Sequence, residues 1–260
     1  MPRLSKLSRS ITGKVALVTG AGSGMGRATA YLFSDEGARV ACVEVNSAGA
    51  EATAAAICEA GGSAAAWGLD VADSAAVRKV VDAVAAKFGG LDILVNNAGI
   101  STHCPIDADD FEERWARTVD VNVSAHTYTI RAALPYLRKC ESGGRVVNIA
   151  STEGLGATPG ISPYTATKHA VIGLTRSLAV ELGKEGITVN CICPGAINTG
   201  MTAKYPDDAK AKFARRRIPN ARYAEPEEVA RATLSLVLPA ASYINGVALP
   251  VDAGLTIKNA

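Results

Sequence analysis

Along the 260-residue chain the apolar positions come in short, unbroken runs rather than in strict alternation with polar ones. Seven such runs stand out: Val15–Thr19, Arg39–Val45, Ala65–Leu69, Asp92–Asn96, Arg145–Ile149, Thr188–Ile192 and Val247–Val251. Runs of Val, Ile, Leu and small residues without a polar face predict strands covered on both sides. Between them lie longer stretches of helical character at Gly26–Glu36, Ala48–Ala60, Ala75–Phe88, Phe111–Arg138, Tyr164–Gly183 and Pro226–Leu238. Gly37 and the pair Gly89–Gly90 stand where helices would stop, and Pro226 ahead of Glu227 and Glu228 marks a helix start. Strand and helix alternating to the end predict an α/β fold, a doubly wound parallel sheet of seven strands with helices on both faces. No Pro/Ser/Gly-rich linker divides the chain and no repeat of 20–50 residues is visible. A single domain is therefore expected over 13–260, behind a flexible leader at 1–12.

Composition narrows the function classes. At 48% hydrophobic and 20% charged the chain is too apolar to be disordered. Its 27 Lys and Arg against 25 Asp and Glu leave a net charge of +2, which offers no field to gather nucleic acid or an acidic membrane. No run reaches the roughly 18 apolar residues that span a bilayer. The basic, Ser-rich start lacks the apolar stretch of a secretory signal. The six cysteines are scattered, with neither a C-x-x-C pair nor a histidine at ligand spacing. They read as free thiols of a cytoplasmic protein without a structural metal. Cys191 and Cys193, two apart in an apolar run, should share one face of a buried strand.

The 25 glycines carry more information, because several cluster directly after the first strand, in Thr19-Gly20-Ala21-Gly22-Ser23-Gly24-Met25-Gly26. Glycines admit phosphate close to backbone N–H groups, and the helix that follows adds its positive end. The spacing is T-G-x-x-x-G-x-G rather than G-x-G-x-x-G, and no G-K-[ST] follows to make a triphosphate loop. Glu44 ends the second strand, where a carboxylate can accept both hydroxyls of a ribose and would repel a 2′-phosphate. Neither Ser23 nor Val45 brings a compensating cation, and Arg27 and Arg39 occupy helix-surface and strand-start positions. The expected cofactor is NAD, with NADP disfavoured.

Tyr164-Thr165-Ala166-Thr167-Lys168 opens a predicted helix and puts Tyr164 and Lys168 on one face. A free phenol, with a pKa near 10, is a poor acid or base at neutral pH. An ammonium about 4 Å away, at an effective dielectric near 20, is worth about 4 kcal/mol, or roughly three pKa units. Tyr164 thereby becomes a credible general base for an alcohol proton and general acid in the reverse direction.

With these residues in place the chain resembles the short-chain dehydrogenase/reductase family, in its single-domain subgroup of about 250 residues. The motifs are TGAGSGMG at Thr19–Gly26, LDV at Leu69–Val71, NNAG at Asn96–Gly99, Asn122, Ser151 thirteen residues before Tyr164, YTATK at Tyr164–Lys168 and PGAINT at Pro194–Thr199. The resemblance implies a catalytic set of Asn122, Ser151, Tyr164 and Lys168. Tyr164 would exchange the proton, Ser151 orient the reacting oxygen, Lys168 lower the tyrosine pKa and hold the nicotinamide ribose, and Asn122 hold a relay water. It implies that Gly20, Ser23, Gly24, Met25 and Gly26 meet the pyrophosphate and that Glu44 and Val45 meet the ribose. Asp70 and Val71 would meet the adenine, and Asn97, Ala98 and Gly99 its ribose. Pro194, Gly195, Ile197 and Thr199 would meet the nicotinamide. Two departures, Ala150 where Ser is frequent and Ala253 where Gly is frequent, fall outside the catalytic set.

The expected reaction is metal-independent hydride transfer between nicotinamide and a secondary alcohol or ketone, in a homotetramer. Candidate substrate-pocket residues are His103, Glu153 and Met201. The 200–222 segment carries seven Lys and Arg against two Asp, which suits either a lid for an anionic substrate or a solvated basic helix. An NADPH-dependent 3-oxoacyl-carrier reductase shares these motifs, with Glu44 against it. A non-catalytic redox sensor would have no use for the Ser, Tyr and Lys set.

Overall fold

The structure, a computed structural model, describes residues 6–259. Seven parallel strands form one sheet in the order β3-β2-β1-β4-β5-β6-β7. They are β1 (Val15–Thr19), β2 (Arg39–Glu44), β3 (Ser63–Gly68), β4 (Ile93–Asn96), β5 (Arg145–Ile149), β6 (Thr188–Pro194) and β7 (Ala248–Val251). The unbroken apolar runs are explained by the two faces. Val15 and Leu17 pack with Val77, Val81 and Val84 from α3 (Ser74–Phe88), while Ala16 and Val18 pack with Phe33 from α1 (Gly24–Asp35) and Val229 from α8 (Pro226–Val237). Successive side chains of one strand thus enter opposite cores, and the polar residues buried there are few, as with Asn96 and Asn148, which bond each other at 2.9 Å.

Local chemistry sets the helix limits. Asp73 caps α3 by accepting the Ala75 and Ala76 N–H groups, and Gly89 ends it in the left-handed conformation at φ 81°. At α8, Glu225 and Glu228 form a reciprocal capping box around Pro226. The remaining helices are α2 (Ser47–Glu59), α4 (Phe111–Val119), α5 (Ala125–Leu137), α6 (Ser162–Leu182) and α7 (Asp207–Arg217).

Two expectations are corrected. The single helix over Phe111–Arg138 is interrupted by a π-helical segment, Asp120–Ser124, which separates α4 from α5. The expected leader, of which residues 1–5 lie outside the described residues, is anchored by residue 11. Ile11 is fully buried in the α1/α8 core, and Ser8 accepts a backbone bond from Ala240. The lid segment contains a helix, α7. Cys191 and Cys193 lie on β6 and pack together with Val171 and Ile172 of α6, the shared face their spacing predicts.

Strand order reverses between β1 and β4, so the loops leaving their carboxyl ends diverge and leave a cleft. Thr19, the last residue of β1, staples the two loops at that point. Its hydroxyl accepts the N–H groups of Asn97 and Ala98 at 2.9 and 3.0 Å, and its carbonyl accepts from Asn97 Nδ2 at 2.9 Å.

Candidate active site

The cleft is an open cavity of about 390 Å³. Its lining includes Gly20, Ser23, Gly24 and Met25 from the β1–α1 loop, Glu44 and Val45 from the end of β2, and Asp70 and Val71 after β3. Asn97, Ala98 and Gly99 follow from the loop after β4, with Tyr164 and Lys168 from α6 and Thr199 and Met201 on the lid side. Most of the residues that the resemblance points to thus line one cleft. Gly26, Asn122, Ser151, Pro194, Gly195 and Ile197 are not part of its lining. Pro194 and Ile197 are buried, Ile197 within the α1/α8 core, and Gly195 abuts Asp252 too closely to carry a side chain.

Two glycines explain the loop. Gly20 turns at φ +67°, a conformation that disfavours other residues. A Cβ on Gly26 would run into the Gly20 carbonyl oxygen, so α1 approaches the loop only because residue 26 is glycine. The result is a bare backbone cradle at the N-terminus of a twelve-residue helix with no acid in its first turn, which fits a dinucleotide pyrophosphate.

Glu44 lines the cleft from the end of β2. Its Oε1 accepts the Val45 N–H at 2.8 Å and its Oε2 the Gly22 N–H at 3.4 Å. Arg27 folds back onto the Gly22 carbonyl, and Arg39 binds the carbonyls of Phe88 and Gly13 at 2.6 and 2.9 Å. Both nearby guanidiniums are thus spent on backbone oxygens.

The sequence does not single out Arg117, which lines the cavity from α4 and pairs with Asp70 at 3.0 Å. Asp70 accepts the Ala72 N–H at 3.0 Å, and this bond, helped by Arg117 and opposed by burial, holds the carboxyl below its ordinary value. The only signal for Arg117 was its helical position before Asn122, which charge patterning alone does not distinguish from a solvated face.

The four residues of the expected catalytic set come from three places: the π-helical segment, the end of β5 and α6. Ser151 follows β5 and accepts the Glu153 N–H at 3.1 Å. Tyr164 and Lys168 stand one turn apart on α6, with Lys168 Nζ 5.4 Å from the centre of the Tyr164 ring. Lys168 is buried, donates to the Ile149 carbonyl at 2.8 Å, and is pushed down to about 8 by burial. The Tyr164 phenol is raised above its ordinary value by burial, with Ser151 pulling it down and Glu153 adding to the rise. The expected lowering of the tyrosine by Lys168 is not met in the protein alone. The ammonium stands over the ring and is itself partly discharged, while desolvation penalises the phenolate.

Asn122 lies in the π-helical segment, fully buried. Its Oδ1 accepts the Ile100 N–H at 2.9 Å, and its Nδ2 donates to the Ile100 carbonyl at 2.9 Å and to Thr167 Oγ1 at 3.2 Å. The side chain thus ties the loop after β4 to α6. One helical turn on, His126 is buried with both ring nitrogens unpartnered. Burial first, and the Lys168 charge second, push it down to about 3.

Of the three substrate candidates only Met201 lines the cavity. His103 packs its ring over Gly160, leaving no room there for a Cβ. Glu153 is engaged by two threonines, Thr158 at 2.7 Å and Thr165 at 2.9 Å.

A family model described as enoyl-(acyl carrier protein) reductase matches residues 20–256. With a doubly wound sheet, and a glycine cradle that shares one cleft with Tyr164 and Lys168, the chain belongs to the short-chain dehydrogenase/reductase family and is an oxidoreductase. It is 40% identical over 248 residues to D-threitol dehydrogenase of Mycolicibacterium smegmatis, covering 95% of each chain. It is also 40% identical over 246 residues to meso-2,3-butanediol dehydrogenase of Serratia marcescens, covering 95% of this chain and 96% of the other. Among solved structures it resembles one assigned as an NAD(P)-dependent gluconate 5-dehydrogenase of Beutenbergia cavernae, with NADP bound at low occupancy. That match has a TM-score of 0.89 and 36% identity, over 96% of this chain and 100% of the other.

Proposed function

We propose that the protein is an NAD(H)-dependent dehydrogenase that interconverts a secondary alcohol and its ketone, with Tyr164 exchanging the proton. The observation that carries this reading is the placement of Tyr164 and Lys168 on the wall of the same cleft that Glu44 and the glycine cradle line. When bound, a nicotinamide dinucleotide supplies the acceptor or donor of the hydride. Gly20, Ser23 and Gly24 would hold its pyrophosphate, Glu44 one ribose, and Lys168 the other.

The chain's own residues manage the oxygen and its proton. Ser151 receives the Glu153 N–H, which leaves its hydroxyl hydrogen free to meet the substrate oxygen. Tyr164 then takes the alcohol proton in oxidation or returns it to the nascent alkoxide in reduction. Desolvation keeps the phenol protonated in the protein alone, a state ready for reduction. Lys168, with its pKa near neutrality, can pass a proton onward without leaving the site. The buried Asn122 side chain is fully committed to Ile100 and Thr167, so a relay water would have to be held by its backbone.

The preference for NAD over NADP is supported by Glu44, whose charge would oppose a 2′-phosphate while Arg27 and Arg39 are engaged elsewhere. A homotetrameric, cytoplasmic enzyme completes the reading. Support comes from the exposed apolar side chains Val180 on α6 and Tyr243 and Ile257 near the C-terminus, and from six free cysteines.

Tyr164→Phe tests the chemistry with a panel of secondary alcohols and ketones followed by NADH absorbance. Turnover is expected to fall by about a thousandfold or more with NADH affinity nearly unchanged. Substantial residual turnover overturns the assignment. In the same assay kcat/KM for NAD+ should exceed that for NADP+ by about tenfold or more, and Glu44→Ser should narrow the gap. A native preference for NADP+ overturns the Glu44 argument.

A further inference from the structure

Glu153 begins as a candidate for touching substrate, and its surroundings give it other work. Both carboxylate oxygens are taken: Thr158 Oγ1 donates to Oε1 at 2.7 Å and Thr165 Oγ1 to Oε2 at 2.9 Å. Its backbone N–H donates to Ser151 Oγ at 3.1 Å. These three bonds join the one-turn helix after β5 (Thr152–Gly154), the connecting loop, and the first turn of α6. Thr165 is the immediate neighbour of Tyr164. One residue therefore connects the Ser151 hydroxyl, the loop and the helical turn that carries Tyr164.

Among the described residues no Lys or Arg pairs with Glu153, and its two partners are neutral hydroxyls. The carboxylate charge is thus left to act on its surroundings, and it adds to the rise of the Tyr164 phenol. The other groups around that phenol are Ser151, from the end of β5, and Lys168, from α6. His103 lies over Gly160 on the facing loop. From α4, Arg114 is spent on Asp110 at 2.7 Å and on the His103 carbonyl at 2.8 Å.

We infer that Glu153 is a positioning residue, its carboxylate clasping Thr158 and Thr165 so that the Ser151 turn and Tyr164 are held in register. The inference rests on the proposed role of Tyr164. It has two separable parts, because hydroxyls donate to a carboxylate but can also accept from an amide. Glu153→Gln keeps a hydrogen-bonded clasp and removes the charge. Thr158→Val with Thr165→Val removes the clasp and keeps the charge.

The experiment compares these variants with the native protein in two measurements. The first is the pH profile of kcat/KM for alcohol oxidation with NAD+. The second is the tyrosinate absorbance difference between each protein and its Tyr164→Phe counterpart with NAD+ bound, which reads the phenol without substrate. In Glu153→Gln both the acidic limb and the phenol titration should move to lower pH by about half a unit or more, since a negative neighbour is gone. In the double threonine variant the limb should stay in place while kcat falls by about tenfold, with NADH affinity unchanged. Unmoved titration in Glu153→Gln overturns the electrostatic part, and an unchanged kcat in the double variant overturns the clasp. A Glu153→Gln variant altered only in KM for the alcohol makes Glu153 a substrate contact and overturns both. Failure of the Tyr164 reading itself appears separately, as turnover surviving in Tyr164→Phe.

Discussion

Single residues in this protein are governed by what burial does to charge. His126 is enclosed with no hydrogen-bond partner on either ring nitrogen and is held down to about 3, against 6.5 for a free imidazole. In the unfolded chain it takes a proton as pH falls through about 6.5, whereas in the fold it stays neutral. Stability is therefore intact above that pH and lost progressively below it, at about 1.4 kcal/mol per pH unit, until the folded group itself titrates. His126→Leu should remove this component, so urea midpoints measured from pH 7 to pH 4 are expected to fall less steeply than in the native protein. Equal slopes would show that His126 is protonated in the fold. The sequence does not flag His126, because a lone histidine on a helix carries no partner in sequence. Its isolation is created by the neighbours that close over it.

At the level of elements, the strands were readable because most of their positions are covered on both faces and apolar, so Val15–Thr19 and Arg145–Ile149 are found where expected. The long helix after Phe111 was not readable as two. Periodicity carries no mark for the π-helical segment, which holds Asn122 where it can reach both Ile100 and Thr167. The basic stretch after Gly200 acquires a structural reason. In α7 Asp207 and Asp208 occupy the first turn and Arg215, Arg216 and Arg217 the last, each at the favourable end of the helix dipole, and Arg222 forms a two-pronged pair with Glu228. Replacing Arg215, Arg216 and Arg217 with Gln should cost about 1 kcal/mol by thermal unfolding, and leave KM for a neutral alcohol and its salt dependence within about twofold. A large, salt-sensitive rise in KM would instead make α7 a lid that draws an anionic substrate.

For the whole molecule, the exposed Val180, Tyr243 and Ile257 are costly to leave in water, and the proposed tetramer offers them cover. Light scattering should return four times the 26.7 kDa chain mass, and replacing Val180 with Asp should lower that mass. A native monomer would overturn the proposal. Much of this protein was legible in residue order alone: a doubly wound sheet, a glycine cradle, an acid closing the second strand, and a Ser, Tyr and Lys set at fixed spacing. Those features are local, since a strand's apolarity, a tight turn and an i,i+4 pair each depend on neighbours in sequence. Only the tertiary structure decided which of these groups face the cleft. It placed Arg117 against Asp70, drew Glu153 away to Thr158 and Thr165, seated Ile197 in the core, and put a buried Lys168 over the Tyr164 ring. Those outcomes depend on contacts between distant segments and on the loss of water around charged groups, and neither is encoded in the spacing of residues along the chain.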